Sequence, residues 1–155
     1  MNRILHRALS IAIFMLALSM ANACQGQPKV AISTRDGREE SFKVEIADSP
    51  LKRELGLQYR RDLSVDQGMI FLFPAAAEQS FWMKNTPIPL DMIFISSDRK
   101  IVGIVERATP FSLDARSVRG ASQYVLEING GLSQKYGFKP GDPVRFESIP
   151  ADVRE

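Results

Sequence analysis

Apolar positions come in short bursts that alternate with polar ones, a period of two that predicts strands rather than helices. Lys29 to Thr34 sets Val30 and Ile32 on one side, and Ser41 to Ala47 aligns Phe42, Val44 and Ile46. Asp36-Gly37 between those runs predicts a hairpin turn. Asp48-Ser49-Pro50 then reads as a helix start, because Ser49 can accept from a free backbone N–H and Pro50 has none to lose. Leu51 and Leu55 lie one turn apart, and Gly56 is expected to end the helix after about two turns. Leu57 to Gln67 is expected to be a loop anchored by Tyr59, Leu63 and Val65. The unbroken run Met69 to Phe73 predicts a strand covered on both faces, and Pro74 to Ser80 a polar, alanine-rich connection.

Phe81 to Ile95, FWMKNTPIPLDMIFI, is the most unusual stretch. Pro87 and Pro89 lack backbone donors and push their predecessors toward extended geometry, so the expectation is strand, corner, strand. Alternation along the first strand would put Trp82, Lys84 and Thr86 on one face, with Phe81, Met83 and Asn85 on the other. Lys100 to Val105 would pair with Asp91 to Ile95 across the turn Ser97-Asp98-Arg99. Glu106 to Ser122 has no sustained period; a loop that long is a candidate lid over the corner. Gln123 to Ile128 is a strand with Tyr124, Leu126 and Ile128 on one face and Val125 and Glu127 on the other. One helical turn from Leu132 to Tyr136, a turn over Lys139 to Asp142 and a strand from Val144 to Ile149 complete the pattern. So many strands against so little helix predict a mainly β fold, an antiparallel sandwich or distorted barrel.

The first residues follow a different rule. Arg3 and Arg7 precede an apolar run from Ala8 to Met20 and the small-x-small pattern Ala21-Asn22-Ala23, which predicts a signal peptide over residues 1–23 and export to the periplasm or medium. Residues 24–28 are then a flexible entry, 29–150 a single domain and 151–155 a tail. Once Arg3 and Arg7 leave, the 20 basic side chains fall to 18 and match the 18 acidic ones, so no net charge favours nucleic acid. Arg60-Arg61 and the Arg116, Arg119 pair are solvated or form an anion clamp. The sole cysteine, Cys24, follows the cleavage pattern directly and is a free thiol, a partner in an intermolecular bond or a lipidation site; a membrane anchor is expected only if it is lipidated. The sole histidine, His6, leaves with the leader, which removes imidazole from any chemistry. No cofactor is expected.

Candidate chemistry gathers at the corner. A buried Lys84 would need a carboxylate, and Asp91 and Glu127 are the available partners. Three uses stand side by side. Trp82 could be an apolar platform, with Lys84, Asn85, Thr86, Asp91 and Glu127 orienting a small ligand or an envelope partner. Asp91 and Glu127 could instead act as acid and base with Lys84. The same groups could also be a buried network without a ligand. Met69, Met83 and Met92 read as core fillers, or as a copper(I) site if their sulfurs converge. Asp142 reads as a turn residue, and Arg53 as solvated or reaching a carboxylate at the corner.

Val44-Glu45-Ile46-Ala47, Arg53, Gly56-Leu57, Gly68-Met69-Ile70-Phe71 with Phe73, Phe81 to Thr86, Ile88 to Met92, Tyr124 to Ile128 and Pro140-Gly141-Asp142 together resemble the family known as domain of unknown function 192. Gln58 departs from it, where such sequences usually carry Met. The resemblance implies a compact, mainly β fold with one short helix, and no established activity.

Overall fold

The computed structural model describes residues 26–150; the expected leader, His6, Cys24 and the tail 151–155 lie outside the described residues. Seven strands form one sheet: β1 Lys29–Ser33, β2 Glu39–Ala47, β3 Gln67–Ala77, β4 Leu90–Ile95, β5 Ile101–Ala108, β6 Ser122–Asn129 and β7 Val144–Glu147. Their order is β5-β4-β6-β3-β2-β1-β7, and the sheet curls into a half-barrel. A bridge between Lys100 and Pro143 joins the two outer strands at one end. Neighbours pair antiparallel except β2 and β3, which run parallel with Val44 opposite Gly68. A parallel pair needs a crossover, and the first helix, α1 (Pro50–Leu55), lies in it. Ser49 accepts from the Lys52 N–H and Gly56, at φ 49°, closes α1.

The mainly β expectation holds, as do the Asp36-Gly37 hairpin and the β4–β5 hairpin. Several local expectations do not. Leu51 and Leu55 leave their helix apolar toward solvent, and Tyr59 and Val65 are exposed rather than anchoring. The strand expected to stop at Phe73 continues to Ala77 past an irregular register after Leu72. Phe81 to Thr86 is no strand: Phe81 alone bridges to Arg116, and Asn85 turns the chain at φ 53°. Period-two alternation was misleading there, because the backbone pairs with a loop rather than with a ladder.

All seven strands contribute to one apolar cluster, including Val30, Phe42, Ile70, Ile93, Ile101, Leu126 and Val144, which therefore fills the interior of the curl. A second cluster covers the outer face of β3, β6 and β4 with Met69, Phe71, Val125, Met92 and Phe94 under Leu57 and Met83. β4 is consequently buried on both faces. Phe81 pins the corner to this outer cluster by edge contacts with Phe71 at 5.0 Å and Phe94 at 5.9 Å. Met69, Met83 and Met92 all belong to it as buried core side chains.

Candidate functional site

Strand register separates the two acids expected to meet. Asp91 lies opposite Ile128, while Met92 lies opposite Glu127. Directly opposed residues share a face and successive residues alternate, so Asp91 points into the interior and Glu127 to the outer side. Both are buried. An acid–base pair made of the two therefore has no common substrate position.

Asp91 is fully occupied. Its Oδ1 accepts from the backbone N–H of Arg107 and of Gly131, both at 2.8 Å, and its Oδ2 from Ser133 at 2.7 Å. Two of those donors open the second helix, α2 (Leu132–Tyr136), whose own first position, Gly131, has no capping side chain. A strand carboxylate thus does what an N-cap side chain would do, satisfying otherwise free donors.

Glu127 has no such partners. Opposed by Met69 and Met92 on the neighbouring strands, it sits in apolar surroundings and makes no hydrogen bond or ion pair among the described residues. Burial pushes its carboxyl up to about 8, which keeps it protonated at neutral pH. A neutral carboxyl can both donate and accept one hydrogen bond.

Above it opens a cleft of about 290 Å³. The end of α1 and the following turn supply Arg53, Glu54, Gly56 and Gln58; β3 supplies Phe71 and Phe73; the corner supplies Phe81, Trp82, Lys84 and Thr86; Glu127 forms part of the lining. Trp82 is exposed, with Lys84 Nζ 5.0 Å from its ring centre. Trp82 and Lys84 thus share a side, although not through strand alternation: Phe81, expected on the other face, lines the same cleft. Thr86 is buried, its hydroxyl donating to the Lys84 carbonyl at 3.2 Å. Asn85 turns away and donates to Gln58 Oε1 at 3.1 Å and to the Tyr59 hydroxyl at 2.7 Å.

The structure brings Trp82, Lys84, Thr86 and Glu127 around one cleft, and places both Asn85 and Asp91 outside its lining. Arg53 is neither free nor paired with an acid: Nη1 donates to the Leu72 carbonyl at 2.9 Å and the guanidinium lies over the Phe73 ring. Arg60 pairs with Glu45, and Arg116 with Asp114. The loop expected as a lid contributes nothing to this cleft. It braces the corner from the side, with the Met83 N–H donating to Ser112 O and the Phe111 N–H to Thr86 O. Asp142 is buried beside its turn and accepts from the Lys139 N–H at 2.8 Å. Phe71, Phe73, Glu54 and Gln58 were not foreseen as lining residues; nothing local in the sequence marks them.

No group of three or more His, Cys, Asp or Glu able to hold a metal occurs among the described residues, and no described helix is long and apolar enough to cross a membrane. A comparison with curated proteins finds no match. Solved structures similar to this chain include the following two. A protein of unknown function from Novosphingobium aromaticivorans DSM 12444 shares 38% identity at a TM-score of 0.73, over 76% of this chain and 83% of that one. A protein from Sinorhizobium meliloti 1021 described as a "putative transcription regulator" shares 39% identity at a TM-score of 0.76, over 83% of this chain and 100% of that one. Residues 31–146 match the DUF192 family model, described as an uncharacterized ACR, and the chain belongs to that family.

Proposed function

We propose that the cleft over Glu127 binds a small polar ligand, and that the protein does so as an exported component of the cell envelope. One observation carries the reading: a buried carboxyl that opens onto a cleft and has no partner in the protein. No described protein group completes that carboxyl, so its hydrogen bonding is left to whatever occupies the cleft. A ligand group that accepts from Glu127 and donates to it would complete it. Lys84 and Arg53 add positive charge at the rim, suited to a carboxylate or phosphate, and Trp82 offers an apolar face.

Trp82 is the sole tryptophan, so its fluorescence reports directly on the cleft. Titration with a panel of small organic acids, sugars and sugar acids is expected to give saturable changes for some members, and Glu127→Leu to abolish them. A panel without any saturable response, or one that Glu127→Leu leaves intact, would falsify the reading. Export is supported by the basic start, apolar run and Ala21-Asn22-Ala23 pattern. Mass spectrometry of the mature protein is expected to find Cys24 as the first residue, either free or carrying lipid; an intact Met1 end would refute export. What the Sinorhizobium relative is called would suggest nucleic acid. The balanced charge beyond residue 23 and the two described helices, of six and five residues, give that reading no support here.

A further inference from the structure

The cleft over Glu127 has two neighbours. Ser80, Phe81 and Trp82 also line a second cleft of about 280 Å³, completed by Leu113 and Ala115. A third, of about 220 Å³, lies among Tyr59, Arg61, Asn85, Pro87 and Phe111. Successive residues serve different clefts: Gln58, Lys84 and Thr86 line the central one, and Tyr59, Asn85 and Pro87 the third. Two ridges result. Trp82 forms one, and the hydrogen-bonded Asn85 and Gln58 form the other. Each cleft is smaller than the roughly 300–1,000 Å³ of a site that encloses a drug-sized ligand, so each suits one ring-sized unit.

The side chains bordering these clefts are large, apolar and exposed: Tyr59, Trp82, Phe111 and Leu113. Two of them are held out on strained backbone, Tyr59 at φ 62° and Phe111 at φ 61°. A bulky residue in the left-handed region is an outlier that persists only where its surroundings enforce it. Here the corner enforces it, since the Tyr59 N–H donates to Asn85 O at 2.7 Å and the Phe111 N–H to Thr86 O at 3.1 Å. Strain that exposes rings rather than burying them serves no packing purpose. The charge is one-sided as well. Arg53, Arg61 and Lys84 line the clefts and form no ion pair among the described residues. The carboxyls facing them are Glu54 and the buried Glu127.

Resting on the reading of the central cleft as a ligand site, we propose that the three clefts form one elongated site for a linear acidic oligosaccharide. A sugar ring has an apolar C–H face and a rim of hydroxyls, which matches an exposed aromatic beside planar amide and carboxyl groups. One unit lies against Trp82 with a hydroxyl on Glu127, the next reaches Tyr59 and Phe111, and carboxylates meet Lys84, Arg53 and Arg61. An extended peptide is the weaker fit, because it binds through free strand-edge groups. Around the corner the N–H groups of Phe81, Met83 and Thr86 are already donated to Arg116, Ser112 and Met83 carbonyls.

The experiment titrates Trp82 fluorescence with galacturonic acid and its linear oligomers of two to four units. Affinity is expected to rise at least tenfold from monomer to trimer and then level off; Tyr59→Ala and Phe111→Ala are expected to remove that gain. Arg61→Glu, at an exposed position, repeats the test should either aromatic variant fail to fold. Equal affinity for monomer and trimer overturns the elongated site and leaves the central cleft standing. No response to any of these sugars, with a positive small-ligand panel, overturns the sugar assignment, as does tight binding of an acidic proline-rich peptide in their place. Failure of the panel as well overturns the cleft itself.

Discussion

Asp91 and Glu127 are buried on neighbouring strands, yet Asp91 meets three backbone N–H groups on the interior face while Glu127 meets none on the outer one. The difference separates two uses of a buried acid. A carboxylate given several charge-assisted hydrogen bonds ties elements together, here β4 to β5 and to the start of α2. A carboxyl given none, at the lining of a cleft, is left to water or to a ligand for its hydrogen bonds. The interior acid is structural and the outer one borders the cleft.

Replacing Asp91 should separate the two most sharply. Asp91→Ala leaves three donors unpaired in the interior, at about 1–3 kcal/mol each, so a loss of about 4 kcal/mol or more is expected in urea denaturation. A loss below about 1 kcal/mol, within the range of an ordinary surface change, would mean that water replaces the carboxylate and the contrast is empty.

Glu127 should behave in the opposite sense and depend on pH. It ionises near 4.5 when unfolded and near 8 when folded. Between those values the folded state holds a proton that the unfolded state has released, so this group's contribution is complete below about 4.5 and is lost as pH rises through about 8. The parent protein is thus expected to weaken from pH 5 to 8, at no more than about 1.4 kcal/mol per pH unit. Glu127→Gln should flatten that slope and be more stable at pH 8 by about 1–3 kcal/mol. Arg38 beside Asp36, Lys43 beside Asp66 and the Ser96 hydroxyl beside Asp98 hold those carboxyls below the usual range, so their effects fall at more acid pH. Denaturation midpoints across the window decide it: identical profiles for parent and variant would mean that Glu127 is solvated.

The smallest effect belongs to the rim. Lys84 is exposed beside an exposed indole, and such cation–π contacts contribute about 0.5–1 kcal/mol. Lys84→Ala is expected to shift stability by less than that while weakening binding of any anionic ligand about tenfold or more. Stability loss on the scale of Asp91→Ala would make Lys84 part of the fold rather than of the site.

Much of this architecture was legible because it depends on local rules. Period-two alternation, Asp36-Gly37 and Ser49-Pro50 each specify a strand, a turn or a helix start from a few adjacent residues, and they appear where expected. The site was legible in part: Trp82 and Lys84 emerged as neighbours, and Glu127 was placed opposite in sense to Leu126 and Ile128. Tyr59 misled, because an aromatic in a loop reads as an anchor until its backbone is seen turned outward. Asp91 misled too, because sequence spacing says nothing about which N–H groups a distant helix will deliver.

Composition and periodicity alone determined that the chain builds a mainly β fold, since strand pleat and turn geometry are properties of a few consecutive residues. Only the tertiary structure decided which acid stands bare: pairing Met92, rather than Asp91, with Glu127 sends the two carboxyls to opposite faces, and strand register is fixed by contacts between segments far apart in the chain.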